Sequence, residues 1–110
     1  MKQDAKHFLG KVLRSYNKRL LFTLHAVNQM NLPERLITKD EIREVITQKE
    51  IIEYCPDDSR GSSRLMVGKT KAKRVIHVLC ASKRGFLLII TAYIPFPDEW
   101  QENSRIRRRD

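Results

Sequence analysis

The stretch RVIHVLCASKRGFLLIITAY, residues 74–93, sets the architecture of this chain. Two apolar runs flank Lys83, Arg84 and Gly85, a strand–turn–strand pattern. The position of Gly85 points to a three-residue hairpin loop, a type I turn followed by a left-handed residue, where glycine costs least. That loop pairs Ser82 with Phe86, Ala81 with Leu87, and Leu79 with Ile89. His77 then lies opposite Thr91, with Tyr93 a diagonal neighbour on the same face. A loop one residue shorter or longer shifts the pairing by one and sends Thr91 and Tyr93 to the other face. In the first register Ile76, Val78, Cys80, Phe86, Leu88 and Ile90 form a face fit to pack under helices. His77, Thr91 and Tyr93 share the opposite face, which is expected to be uncovered.

Upstream of the hairpin, IIEYC (51–55) and RLMVG (64–68) read as two more strands, separated by the turn-rich PDDSRGSS. With 74–82 and 86–94 they make a four-stranded antiparallel meander. Ahead of them, Thr38 and Glu41 form a capping box, and Ile37 and Ile42 occupy the positions of a hydrophobic staple. The helix they start has Ile42, Val45 and Ile46 on one face and ends near Lys49. Thr23 caps a shorter helix through LHAVNQM, and Pro33 bars its continuation. Residues 20–22 read as a short strand or extended entry. Phe8, Leu9, Val12, Leu13 and Tyr16 recur at helical spacing and predict an amphipathic helix over 4–17. The fold class is therefore α+β, with N-terminal helices on one face of a four-stranded antiparallel meander sheet. Residues 1–18 read as a helical extension, 19–100 as the domain, and 101–110 as a basic tail. Trp100 is expected to pack on the edge or end of the sheet.

At 110 residues, 41% hydrophobic and 32% charged, the chain has the size and balance of one globular domain. It contains neither an apolar run long enough for a membrane span nor a recognisable signal peptide, so the cytoplasm is the expected location. Cys55 and Cys80 form no CxxC pair and suit a role as small apolar fillers. The three histidines and two cysteines make no zinc-site spacing, and no cofactor is implied. The net charge of +9 is unevenly spread. Residues 59–97 hold no acid, while Arg60, Arg64, Lys69, Lys71, Lys73, Arg74, Lys83 and Arg84 are all basic. RIRRRD closes the chain with a second basic cluster. This asymmetry favours an anionic partner, RNA or an acidic protein, over a membrane surface.

The run TLHAVNQM, the capped helix, EIIEYCPDD, SSRLMVG, IHVLCA and LLIITAYIP followed by a tryptophan resembles a family of domains of unknown function, number forty-two fifty-eight. That family belongs to the barnase, EndoU, colicin and RelE-like group of ribonuclease folds, and its members often look like toxins paired with antitoxins. The resemblance covers about residues 20–100. It implies a RelE/barnase-like fold, a metal-independent endoribonuclease, and His25, His77, Thr91 and Tyr93 as the catalytic set. RNA, free or ribosome-bound, would be the substrate and an antitoxin protein the partner. The chain departs from the pattern at Gln29, where relatives carry an arginine four residues after the first histidine. Arg35, in a longer connector, is a stand-in for a second family arginine, with Arg64 or Arg74 as other sources of the missing cation.

Metal-free RNA cleavage needs a base for the 2′-hydroxyl, an acid for the leaving 5′-oxygen and cations for the phosphorane charge. His25 and His77 are the candidate acid and base, Tyr93 a stacking or phosphate-bonding group, and Thr91 an orienting group for His77. Arg60, Arg64, Arg74, Lys83 and Arg84 are the candidate phosphate contacts, the first two bracketing the hydroxyl-rich SRGSSR. By residue type alone, ordinary packing is the commoner role for His77, Thr91 and Tyr93, while for His25 packing and chemistry stand level. Two functions stay open: a toxin-like endoribonuclease, and a non-catalytic module of the same fold that binds RNA or an acidic protein.

Overall fold

A computed structural model describes residues 19–56, 62–96, 100–101 and 105–107. The elements are β1 (Leu20–Phe22), α1 (Leu24–Met30), α2 (Lys39–Gln48), β2 (Ile51–Cys55), β3 (Ser63–Lys69), β4 (Val75–Lys83), β5 (Phe86–Tyr93), β6 (Trp100–Gln101) and β7 (Ile106–Arg107). The first five strands form one sheet in the order β1-β5-β4-β3-β2, and β6 pairs with β7 separately. Strands β2 to β5 are the antiparallel meander read from the sequence. The sheet is nevertheless five-stranded and mixed, because β1 adds to β5 in parallel, Leu21 beside Leu88. A three-residue strand has too little pattern of its own to announce that partner. The expected helix over 4–17 and the candidate cation Arg60 lie outside the described residues. Part of the expected basic tail is paired instead, since Ile106 lies opposite Gln101 in the small hairpin.

Local chemistry sets both helices. Thr23 Oγ1 accepts the Ala26 N–H at 2.9 Å, capping α1. The same hydroxyl donates to the Ile90 carbonyl at 2.8 Å, so the cap also fixes α1 to β5. Thr38 and Glu41 complete a reciprocal capping box on α2, which ends at Lys49 in a left-handed conformation. Ile37 and Ile42, the staple pair, are both buried in the core. Both helices lie over the face carrying Met66, Ile76, Val78 and Cys80 and contribute Ala26, Met30, Ile42, Val45 and Ile46 to one cluster. Gly68 lets β3 approach α2 closely, since a Cβ there would stand 2.9 Å from the Val45 Cα.

The hairpin reaches the expected side-chain grouping by another route. Lys83 pairs with Phe86, which makes the turn two residues, Arg84 and Gly85, with Gly85 at φ 87°. Alone, that turn would put Thr91 and Tyr93 on the helix-covered face. A β-bulge corrects it: Cys80 pairs with Ile89 but Leu79 pairs with Thr91, leaving Ile90 as the extra residue. His77 consequently faces Tyr93 directly, and Thr91 faces Leu79, rather than His77 facing Thr91. The two-residue turn sends Leu87 and Ile89 into the core in place of Phe86 and Leu88, and beyond the bulge Ala92 takes the core position expected of Ile90.

Candidate functional site

On the face away from the helices, His77 stands between Val67 and Tyr93 in register. That face was expected to be uncovered, yet His77 is 0% exposed. Trp100 covers it, its ring edge-on to the imidazole with centroids 4.3 Å apart and planes at 87°. Trp100 therefore packs on the sheet's face rather than its edge. His77 Nδ1 lies 3.2 Å from the Tyr93 hydroxyl, and the two rings meet edge to face. His77 is thus buried in contact with both Tyr93 and Trp100.

Above this layer lies a cavity of about 310 Å³, lined by His25, Gln29, Arg35, Thr91, Tyr93, Ile94, Phe96 and Trp100. Three elements build it. Along α1, His25 and Gln29 are one turn apart and share a face. Bulged β5 supplies Thr91 and Tyr93. The connector after α1 supplies Arg35 by curling back on itself: the Arg35 and Leu36 N–H groups both donate to the Leu32 carbonyl, and the Ile37 N–H returns to the Met30 carbonyl. Arg35 Nη1 then donates to Gln29 Oε1 at 2.6 Å. A guanidinium from a different element is thereby delivered beside Gln29. The lining offers an imidazole, an amide, a guanidinium and two hydroxyls, and no carboxylate among the described residues. Nor do the described residues gather three or more His, Cys, Asp or Glu side chains as a metal site requires.

The expected phosphate contacts that lie among the described residues, Arg64, Arg74, Lys83 and Arg84, do not line this cavity. Arg64 is buried, its guanidinium 3.3 Å above the centre of the Tyr54 ring, on the helix side of the sheet beside Cys80. Arg74 is committed to the fold. Its Nε and Nη2 donate to the two carboxylate oxygens of Glu41 at 3.0 and 2.6 Å, and its Nη1 and Nη2 also donate to the carbonyls of Arg35 and Leu36. That clamp holds Leu36 at φ 46°, an unfavourable region for leucine. The hydrogen bonds from Arg74 keep the Glu41 carboxyl below its ordinary value of 4.5, against an opposing effect of burial. Lys83 ends β4 and Arg84 is the first residue of the hairpin turn, about 20 Å along β4 from His77 at the usual strand rise.

Arg35 was only a stand-in on the sequence, and the contributions of Phe96 and Trp100 to the cavity were not read from it. The signal for Phe96 was Pro-Phe-Pro (95–97), an aromatic residue confined to a segment that proline keeps out of a strand ladder.

The family model described as Domain of unknown function (DUF4258) matches residues 22–94. The chain belongs to that family. The match contains α1, the Arg35 connector and the whole of β5, and stops just before Phe96 and Trp100. No curated protein and no solved structure matches the chain.

Proposed function

We propose that the cavity between α1 and β5 is an RNA phosphate site, and that the protein is a small, toxin-like, metal-independent endoribonuclease of the RelE/barnase-like group. The observation that carries this reading is the delivery of Arg35 to Gln29, beside His25, Thr91 and Tyr93. A cation, an imidazole and hydroxyl donors converge on a space with no competing carboxylate in its described lining. His25, exposed on α1, takes the proton from a 2′-hydroxyl as that oxygen attacks phosphorus. Arg35 and the Thr91 hydroxyl balance the charge that builds on the phosphorane oxygens. The Tyr93 hydroxyl gives a proton to the departing 5′-oxygen, leaving a 2′,3′-cyclic phosphate. His77 touches no substrate in this scheme; it orients Tyr93 and exchanges the proton with it. A basic chain with this activity would work in the cytoplasm under the control of an antitoxin.

The burial of His77 favours a second reading, a non-catalytic module of the same fold that holds RNA in this cavity without cutting it. One experiment separates them. Purified protein and a mixed RNA pool are incubated with EDTA, and new 3′ ends are mapped beside His25→Ala and Arg35→Ala controls. Cyclic phosphate ends that disappear in both controls support the nuclease. RNA that is retained by the wild type but stays intact supports the binding module. RNA neither bound nor cut sinks both.

A further inference from the structure

Phe96 is 60% exposed and stands on the rim of the same cavity as Arg35. Its mount is firm. Pro95 beside it is buried, and the Phe96 carbonyl accepts the Trp100 N–H at 3.2 Å. Trp100 is in turn held on His77 by ring packing. An exposed aromatic ring lining the same pocket as a cation and two hydroxyls suits a ligand with two unlike ends. One end must be an anion for Arg35 and the other a flat apolar face for the ring. The cavity, at about 310 Å³, sits at the small end of ligand pockets and has room for one such unit.

We infer that Phe96 is a nucleobase platform, and that the cavity takes a single nucleotide unit with its phosphate on Arg35 and its base stacked on Phe96. The inference rests on the phosphate-site reading above and adds what that reading lacks, a contact that recognises a base. Stacking accepts any base, because every base has a π face, so this contact gives affinity for nucleotides with little sequence preference. Phe96 lies outside the segment that matches the family.

The chain has one tryptophan, Trp100, and it lines the cavity, so its fluorescence reports occupancy. The full-length protein is titrated with adenosine 3′-monophosphate, with uridine 3′-monophosphate and with ribose 5-phosphate, which brings the anion without a base. The wild type is expected to bind both nucleotides roughly ten-fold or more tightly than the sugar phosphate, the effect of one base stack. Phe96→Ala should abolish that preference and leave ribose 5-phosphate binding unchanged. Phe96→Trp should keep the preference, and Phe96→Leu, apolar but not flat, should lose it. Arg35→Ala should weaken all three ligands together. Equal wild-type affinity for nucleotides and sugar phosphate overturns the platform while leaving the phosphate site standing. So does a preference that survives Phe96→Ala, or tighter binding of a phosphotyrosine peptide than of either nucleotide. Failure of the wild type to bind any of them overturns the phosphate-site reading, and the platform with it.

Discussion

Toward α2 the sheet presents Ile76, Val78 and Cys80, and the helix answers with Ile42, Val45 and Ile46. Toward Trp100 it presents His77, and the answer is an edge-on ring above and a tyrosine hydroxyl beside it. Both layers are closed to water, but they are closed by different physics. The aliphatic side needs volume and alternation, tolerates small shifts, and supplies stability in proportion to area. The His77 side needs partners at set distances, because a buried polar group is costly unless bonded. What it yields is position, holding the Tyr93 hydroxyl at the floor of the cavity.

The aliphatic side should therefore break hardest. Ile46→Ala removes a fully buried side chain and should cost about 2–5 kcal/mol in urea denaturation. Nucleotide binding by the protein that remains folded should be unchanged. A loss of binding as large as the loss of stability would mean that the two layers are not separable.

Next comes the clamp that joins them. Arg74→Ala leaves the buried Glu41 carboxylate with only the Thr38 N–H and the Thr70 hydroxyl and frees the Arg35 and Leu36 carbonyls, and should cost about 1.5–3 kcal/mol. RNA binding should weaken too, because the connector that carries Arg35 loses its hold. Acid tests the same pair. The Glu41 pKa is lowered in the folded state, chiefly by the bonds from Arg74, so the unfolded chain binds the proton more readily. Its contribution is whole above the ordinary value of 4.5 and falls away as pH drops through the lowered folded value. Stability measured from pH 6 downward should thus fall less steeply in Glu41→Gln than in the wild type. Parallel slopes would show that the pair carries no pH-dependent stability.

The aliphatic layer was legible in the sequence because independent signals agreed on it. The Thr38–Glu41 capping box, the Ile37–Ile42 staple and the period of Ile42, Val45 and Ile46 all describe one helix, and all hold. The meander was legible from its turns. The bulge was not, for a simple reason. Leu87, Leu88, Ile89 and Ile90 are all aliphatic, so a slipped alternation leaves no mark in hydropathy. His25, Thr91 and Tyr93 were legible as a set, but the burial of His77 was not, since it depends on where Trp100 returns. Arg35 needed the backbone path of a connector, which spacing does not encode, and Arg74 looked like a surface cation until Glu41 stood opposite it.

The polar layer should break more gently. Tyr93→Phe keeps the ring contact with His77 and removes the hydroxyl near Nδ1. A loss of about 1–2 kcal/mol is expected by denaturation. Cleavage should fall by more than stability does, since the hydroxyl is the proposed acid. A variant as active as the wild type would return Tyr93 to packing alone.

The smallest effect is the most discriminating. If the cavity needs a guanidinium at one place rather than an arginine at one position, then Gln29→Arg combined with Arg35→Gln should preserve it. The guanidinium would rise from α1 and donate to an amide oxygen on the connector, the present bond with its two ends exchanged. Arg35→Gln alone should weaken RNA binding roughly ten-fold with under about 0.5 kcal/mol of stability lost, since Arg35 lies at a partly open surface. Gln29→Arg alone places two like charges in one small space and should also bind less well. The double variant should recover most of the affinity, a coupling that a cycle of the two substitutions measures directly. Simple additivity would mean that Arg35 meets Gln29 by proximity alone, and that the cavity depends on arginine at position 35 itself rather than on a guanidinium shared between the connector and α1.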